Sequence, residues 1–235
     1  MPQMRLDKLL SHLNCGSRKE VQALIRAGRV SVDGTVQKDP AFKVDPDRSQ
    51  TAVDGTVQRY RAQRYYMLNK PMGVITASRD IVLELFPAEL RRGLFAVGRL
   101  DKDTEGLLLI TDDGALSHAL MSPNRHVEKE YEAVVDGALA ADAVSRFEQG
   151  MTLRDGTEYK SAKLEILETE PELRVRVTLK EGKYHQVKRM IAAVGGTVTA
   201  LKRLRLGGLW LDKILAPGEF RELTQEELEK LTSQT

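Results

Sequence analysis

The chain has 235 residues, 41% of them hydrophobic and 30% charged, with 8 prolines, which is enough for one sizeable core plus a small second domain and unlike a disordered or fibrous sequence. Its single cysteine, Cys15, excludes an internal disulfide scaffold and any zinc framework built on paired cysteines, so a cytoplasmic location is expected. The N-terminus has no apolar signal core, and apolar runs such as residues 107–110 are far too short to span a bilayer, so no membrane association is expected.

Leu6, Leu9, Leu10 and Leu13 follow helical spacing and predict a first helix that stops near residues 14–16. Ser17 followed by Glu20 forms a capping box for a second helix. Val21, Leu24 and Ile25 supply its buried stripe, and Gly28 suits the left-handed position after its last turn. Arg18, Lys19, Gln22, Arg26 and Arg29 are left on the outside. Residues 30–36, VSVDGTV, predict a hairpin turning at Asp33 and Gly34, a pair suited to positive φ. The hexapeptide VDGTVQ recurs at residues 53–58. Two copies are too few for a solenoid, so they are read as two hairpins with the same turn chemistry. Residues 38–63 are polar and end in the charged run RYRAQR, which puts a domain boundary near residues 59–63 and gives domains 1–60 and 64–235.

Beyond the boundary, residues 65–68 and 74–76 read as strands joined by the turn NKPMG. Further strands are expected at 106–111, 131–135, 164–167, 173–179, 198–204 and 220–223, and helices at 115–121, 139–148 and 184–194. A capping box from Thr224 to Glu227 opens a final short helix. Several neighbouring strands are joined too tightly for parallel crossovers, so the expected class is α+β with a mainly antiparallel sheet. Neither a dinucleotide-binding nor a phosphate-loop glycine pattern is present.

The net charge of +2 is unevenly spread. Residues 4–30 hold six Lys/Arg against two Asp/Glu and residues 180–206 hold seven against one, leaving −8 on the remainder. Such segments fit a polyanionic partner, and they equally fit ordinary solvated helix faces. The usual nucleophile and metal motifs are absent. The carboxylate that stands out is Asp101, between VGRL and the polar turn 102–105, just before the apolar strand. A loop feeding a buried strand can hold a side chain rigidly and leave it reachable, but an aspartate there can also simply cap the turn. Asp112 and Asp113, ahead of Gly114, read as turn and cap residues rather than as a metal-binding pair.

Two helices, a hairpin and a basic outer face resemble the small RNA-binding domain first described in a ribosomal small-subunit protein, the αL motif. Arg5, Leu6, Asp7, Lys8, Ser17, Arg18, Gly28, Val30, Val32, Asp33 and Gly34 carry that resemblance. It implies that Arg5, Lys8, Arg18, Lys19, Arg26 and Arg29 meet RNA phosphates. The segment GRLDKDTEGLLLITDDG resembles the central motif of the pseudouridine synthases of the RsuA family. NKPMG at 69–73, KEY at 129–131, GKYHQVKRM at 182–190 and the ending LAPGEFRELTQEE extend the resemblance over nearly the whole chain. It implies a pseudouridine synthase catalytic domain of mixed sheet following the αL-type domain.

The resemblance implies that Asp101 is the essential carboxylate. It would act on a flipped-out uridine, either as nucleophile at the sugar C1′ or as a base removing the C2′ proton to give a glycal, the route that family precedent favours. It implies that Lys188 holds the charge of Asp101, that Tyr131 packs on the target base, and that Arg99 fills the vacated space or holds a flanking phosphate. His185 and Gln186 would support the site. An isomerisation without net redox change calls for no cofactor and no metal. The tetrapeptide YHQV at 184–187 and the ending GGLWLD at 207–212 favour 16S ribosomal RNA as the partner, with a monomeric protein acting on it; the alternatives are 23S rRNA and a noncatalytic RNA-binding assembly factor. The RsuA family usually carries several more residues between Asp80 and Ile81, so RNA contacts from that loop are not assigned.

Overall fold

A computed structural model describes residues 3–13, 15–46, 48–58, 63–76, 79–122 and 125–233. Two compact units divide the chain: Met1–Gln63 with Ala88–Arg92, and Arg64–Pro87 with Gly93–Thr235. Residues 59–62, where a linker is expected, lie outside the described residues.

The first unit runs β1 (Met4–Arg5), α1 (Leu6–His12), α2 (Arg18–Arg26), β2 (Val30–Val32), β3 (Thr35–Gln37), β4 (Lys43–Val44), β5 (Thr51–Val53) and β6 (Thr56–Gln58). The helix α2 starts on the expected capping box: the Ser17 hydroxyl accepts from the Glu20 N–H, and the Glu20 carboxylate accepts from the Ser17 N–H. Gly28 adopts φ +72, past the end of that helix. Both copies of the repeated hexapeptide form hairpins, with Asp33 and Gly34 at φ +49 and +79 and Asp54 and Gly55 at φ +50 and +78. They lie side by side in one sheet of order β3-β2-β5-β6. Leu6, Leu9, Leu10, Val21, Ile25, Val30, Val32 and Val44 form the core of this unit.

The second unit contains β7 (Tyr65–Lys70), α3 (Arg79–Leu83), β8 (Phe95–Ala96), β9 (Glu105–Thr111), α5 (Gly114–Met121), β10 (Lys129–Asp136), α6 (Ala143–Gln149), β11 (Met151–Thr152), β12 (Glu158–Tyr159), β13 (Lys163–Glu168), β14 (Leu173–Leu179), α7 (Gln186–Ala193), β15 (Thr197–Leu206), β16 (Leu209–Trp210), β17 (Phe220–Glu222) and α8 (Gln225–Thr232). The short helix α4 (Ala88–Arg91) belongs to the first unit. Seven strands make the main sheet in the order β13-β14-β10-β15-β9-β7-β17, with β16 on β15 and β8 on β9. Among the described residues only the β15–β9 pairing of this sheet is parallel, so the expected mainly antiparallel α+β sheet is what forms.

That sheet is buried on both faces. Leu108, Ile110, Tyr66 and Leu68 enter one core with α6 and α7, whereas Leu107, Leu109 and Met67 enter a second with α5 and α8. This is why residues 107–110 are apolar without alternation. Three expected elements differ. Residues 74–76 form no strand, because Thr76 is taken up in a reciprocal pair with Leu100, its hydroxyl donating to the Leu100 carbonyl and accepting from the Leu100 N–H. The helix expected from 184 begins at Gln186, because His185 is left-handed at φ +50. The one expected from 139 begins at Ala143, after a turn in which the Ala140 N–H donates to the Val194 carbonyl. Asp80 and Ile81 are consecutive residues within α3.

Candidate active site

The loop 101–104 hangs from the start of β9, at the point where β9 meets β15. Gly106 pairs there with Arg203, and a Cβ on it would lie 2.3 Å from the Arg203 carbonyl oxygen. Together with φ +100 this restricts the position to glycine. Residues of the NKPMG segment hold the same loop from behind. The Gly73 N–H donates to the Lys102 carbonyl, and the fully buried Lys70 ammonium donates to the carbonyls of Thr104 at 2.7 Å, Pro71 at 3.0 Å and Lys102 at 3.4 Å. Burial pushes Lys70 down to about 8, against the opposing pull of Glu105, Asp103 and Asp101. Lys70 was expected in a turn; it is the last residue of β7 and a brace for the Asp101 loop.

The backbone carbonyl of Asp101 accepts from the Thr104 N–H, closing the turn, whereas its side chain caps no backbone group among the described residues. The carboxylate points instead at the start of α7. His185 Nε2 stands 3.5 Å from Oδ1, and Lys188 Nζ stands 4.0 Å from Oδ2. Lys188 hydrogen-bonds Asp103 at 2.5 Å, and this bond lowers the Asp103 carboxyl below its ordinary range. The sequence pointed to Lys188 as the partner of Asp101, but it bridges Asp101 and Asp103 and is the closer to Asp103. His185 and Lys188 are three residues apart at a helix start, so they share a face; that spacing was legible, but the left-handed turn at His185 was not. Gln186 supports the loop as expected, donating to Glu181 and accepting from the Lys183 N–H.

Asp101 opens on a cavity of about 240 Å³. Leu100, Leu179, Val187 and Leu201 form apolar walls, Tyr131 lines it from β10, and Arg99, Tyr184 and His185 stand around it. Tyr131 is 9% exposed, and its hydroxyl makes no hydrogen bond to a described residue. Asp101, Tyr131, Arg99 and Lys188 thus come together, and such a pocket can receive a flat base beside an ionisable carboxylate. No cluster of three or more metal-ligating residues exists among the described residues. Asp113 caps α5 through the N–H groups of Ala115 and Leu116, and Asp112 pairs with Arg64, in keeping with their reading as turn and cap residues.

The six basic residues expected to meet RNA divide into two groups. Arg5 and Arg18 hydrogen-bond the fully buried Asp7, which Gln22 also donates to, and Arg29 pairs with Asp54 at 2.8 Å. The bond from Arg5 leads in holding the Asp7 carboxyl far below its ordinary range. Lys8, Lys19 and Arg26 are exposed and pair with no described residue.

Residues 64–193 match the family described as RNA pseudouridylate synthase, and residues 4–48 match the S4 domain. An uncharacterized RNA pseudouridine synthase of Bacillus subtilis, YtzG, is 47% identical over 97% of this chain and 98% of its own length. The ribosomal small subunit pseudouridine synthase A of Escherichia coli is 43% identical over 96% and 98%. A crystal structure of a pseudouridylate synthase, 36% identical, superposes with a TM-score of 0.68 over 97% of this chain and 99% of that one.

Proposed function

Because the chain belongs to the RNA pseudouridylate synthase family of RsuA type, with an S4 domain ahead of the synthase domain, we propose that it isomerises a uridine of 16S ribosomal RNA with Asp101 as the catalytic carboxylate. The observation that carries this reading is the Asp101 side chain, free of the turn that bears it and turned toward Lys188 and His185 at the mouth of a base-sized cavity. Residues 1–60 then act as the RNA-binding domain and residues 64–235 as the catalytic domain of a monomer. Lys8, Lys19 and Arg26, which have no described protein partner, are the first candidates for phosphate contacts.

The substrate uridine leaves its stack, at a cost of a few kcal/mol, and enters the cavity with its face on Tyr131. Two routes begin from the Asp101 carboxylate: attack on C1′, or removal of the C2′ proton to give a glycal, which the family resemblance favours. In both, the N1–C1′ bond breaks and the uracil leaves with the electron pair. It turns within the cavity and C5 bonds to C1′, in the first route as the ester bond between Asp101 and C1′ breaks and frees the carboxylate. The proton lost from C5 is balanced by one gained at N1, and in the glycal route C2′ recovers its own. The apolar walls exclude the water that would trap the opened sugar. Lys188 and His185 hold the carboxylate in place, while Arg99 faces the RNA.

The test is a deletion strain complemented with wild type or Asp101→Asn, with pseudouridine mapped in both rRNAs. A site lost from 16S rRNA and restored by wild type alone supports the reading. A site lost from 23S rRNA moves the substrate to the large subunit, and restoration by Asp101→Asn removes Asp101 from the chemistry.

A further inference from the structure

Tyr184 is an exposed aromatic ring in the lining of the Asp101 cavity, and the synthase reading gives it no role. It is 73% exposed. One face is stacked on His185, with centroids 3.8 Å apart and planes 17° from parallel, and the other face meets no ring among the described residues. Both residues line the cavity that Asp101 opens on, and His185 Nε2 is 3.5 Å from the Asp101 carboxylate. The ring pair is therefore a short stack built outward from the site.

The loop that presents it is held stiffly. His185 keeps a left-handed backbone at φ +50, a conformation unfavourable for a residue other than glycine. Around it the Gln186 N–H donates to the Lys183 carbonyl, the Gln186 side chain bonds both the Lys183 N–H and Glu181, and the Lys183 ammonium donates to the Glu158 carbonyl. Strain and bracing together fix an apolar face in water at the lip of a polar site.

We propose that Tyr184, backed by His185, is a stacking subsite for the nucleobase adjacent to the target uridine. The proposal rests on the synthase reading and deepens it. When a uridine turns into the cavity, its neighbour loses a stacking partner, and an exposed ring beside the cavity mouth replaces it. Stacking on an aromatic face accepts any base, because every base has a π-face. The subsite thus holds the strand in place without reading its sequence, and selection of the target falls to other contacts. His185 acts here as a positioning residue, fixing the tyrosine ring while it faces Asp101.

The test uses the full chain and an RNA oligonucleotide in which 2-aminopurine neighbours the uridine. Stacking quenches that fluorophore. Wild type and Tyr184→Phe are expected to quench it on binding, whereas Tyr184→Ala and Tyr184→Leu do not. The Ala and Leu variants should also raise KM for a 16S rRNA fragment about tenfold, within the range of one lost base stack, with a smaller effect on the single-turnover rate at saturating RNA. Repeating the quenching in an Asp101→Asn background reads the stack without chemistry, so failure of the synthase reading and failure of this one are told apart. Quenching and KM as in wild type for both Ala and Leu variants would reduce Tyr184 to a cover over His185 and overturn the proposal.

Discussion

The ammonium of Lys70 donates to the carbonyl of Thr104 across 2.7 Å, joining the end of β7 to the end of the loop that carries Asp101. Lys70→Met keeps the length and apolar stem but takes the ammonium away from three carbonyls, of which that of Lys102 keeps the Gly73 N–H. A cost of about 2–4 kcal/mol in folding stability is expected, with a loss of turnover from a loosened Asp101 loop. Urea unfolding beside single-turnover assays checks both, and a variant of wild-type stability would contradict the brace.

Lys129 is a second buried ammonium, 8% exposed and donating to the Val127 carbonyl; burial, with Arg203 nearby, pushes it down to about 8. The folded-state value lies below the ordinary 10.5, so between about pH 8 and 10.5 the unfolded chain binds the extra proton and stability rises with pH. Below that window the penalty is full and constant. Wild type should therefore gain on Lys129→Met by roughly 1 kcal/mol per pH unit across the window. Denaturation at pH 7 and pH 9.5 measures the gap; a gap independent of pH would count against the assignment.

Asp7 supplies the opposite sign. Its carboxyl is held below its ordinary range by Arg5 first, with Gln22 and Arg18, so its contribution is present above the usual aspartate value and is lost as pH falls through the lowered one. Asp7→Asn should cost about 1–3 kcal/mol at pH 7 and progressively less in strong acid. Arg18→Ala is expected to act mainly on the stability of the first unit. By contrast, Lys19→Ala and Arg26→Ala should weaken RNA binding and each lower the salt slope by about one. Equal salt slopes for all three variants would contradict this division.

Sequence patterns made much of this legible. Ser17 with Glu20 and Asp33 with Gly34 are local devices, set by residues three or fewer apart, and they appear as read. The run at 107–110 announced a buried strand by its lack of alternation. What pattern could not convey depended on distant partners. Lys70 looks like a turn residue until its carbonyl acceptors 32 and 34 residues away are in view. Lys188 belongs to the right motif, yet Asp103 is the closer carboxylate. Arg5 and Arg18 give no sign in the sequence of the bonds that both make to the buried Asp7.

Gly106 ties the fold to the site. Gly106→Ala would drive a methyl group into the Arg203 backbone at a positive φ, where β9 pairs in parallel with β15. A loss of more than about 3 kcal/mol is expected, read as a large drop in Tm or in soluble yield. Wild-type Tm would mean that β9 and β15 can separate without cost.

The central claim is that the Asp101 carboxylate performs the isomerisation. Purified wild type and Asp101→Asn, incubated with 16S rRNA from the deletion strain and scored for pseudouridine, test it most directly. The predicted result is formation at one site by wild type and none by Asp101→Asn, with RNA affinity within about threefold and an unchanged Tm, since that side chain bonds no described backbone group. Pseudouridine formed by Asp101→Asn at the wild-type rate would contradict the account.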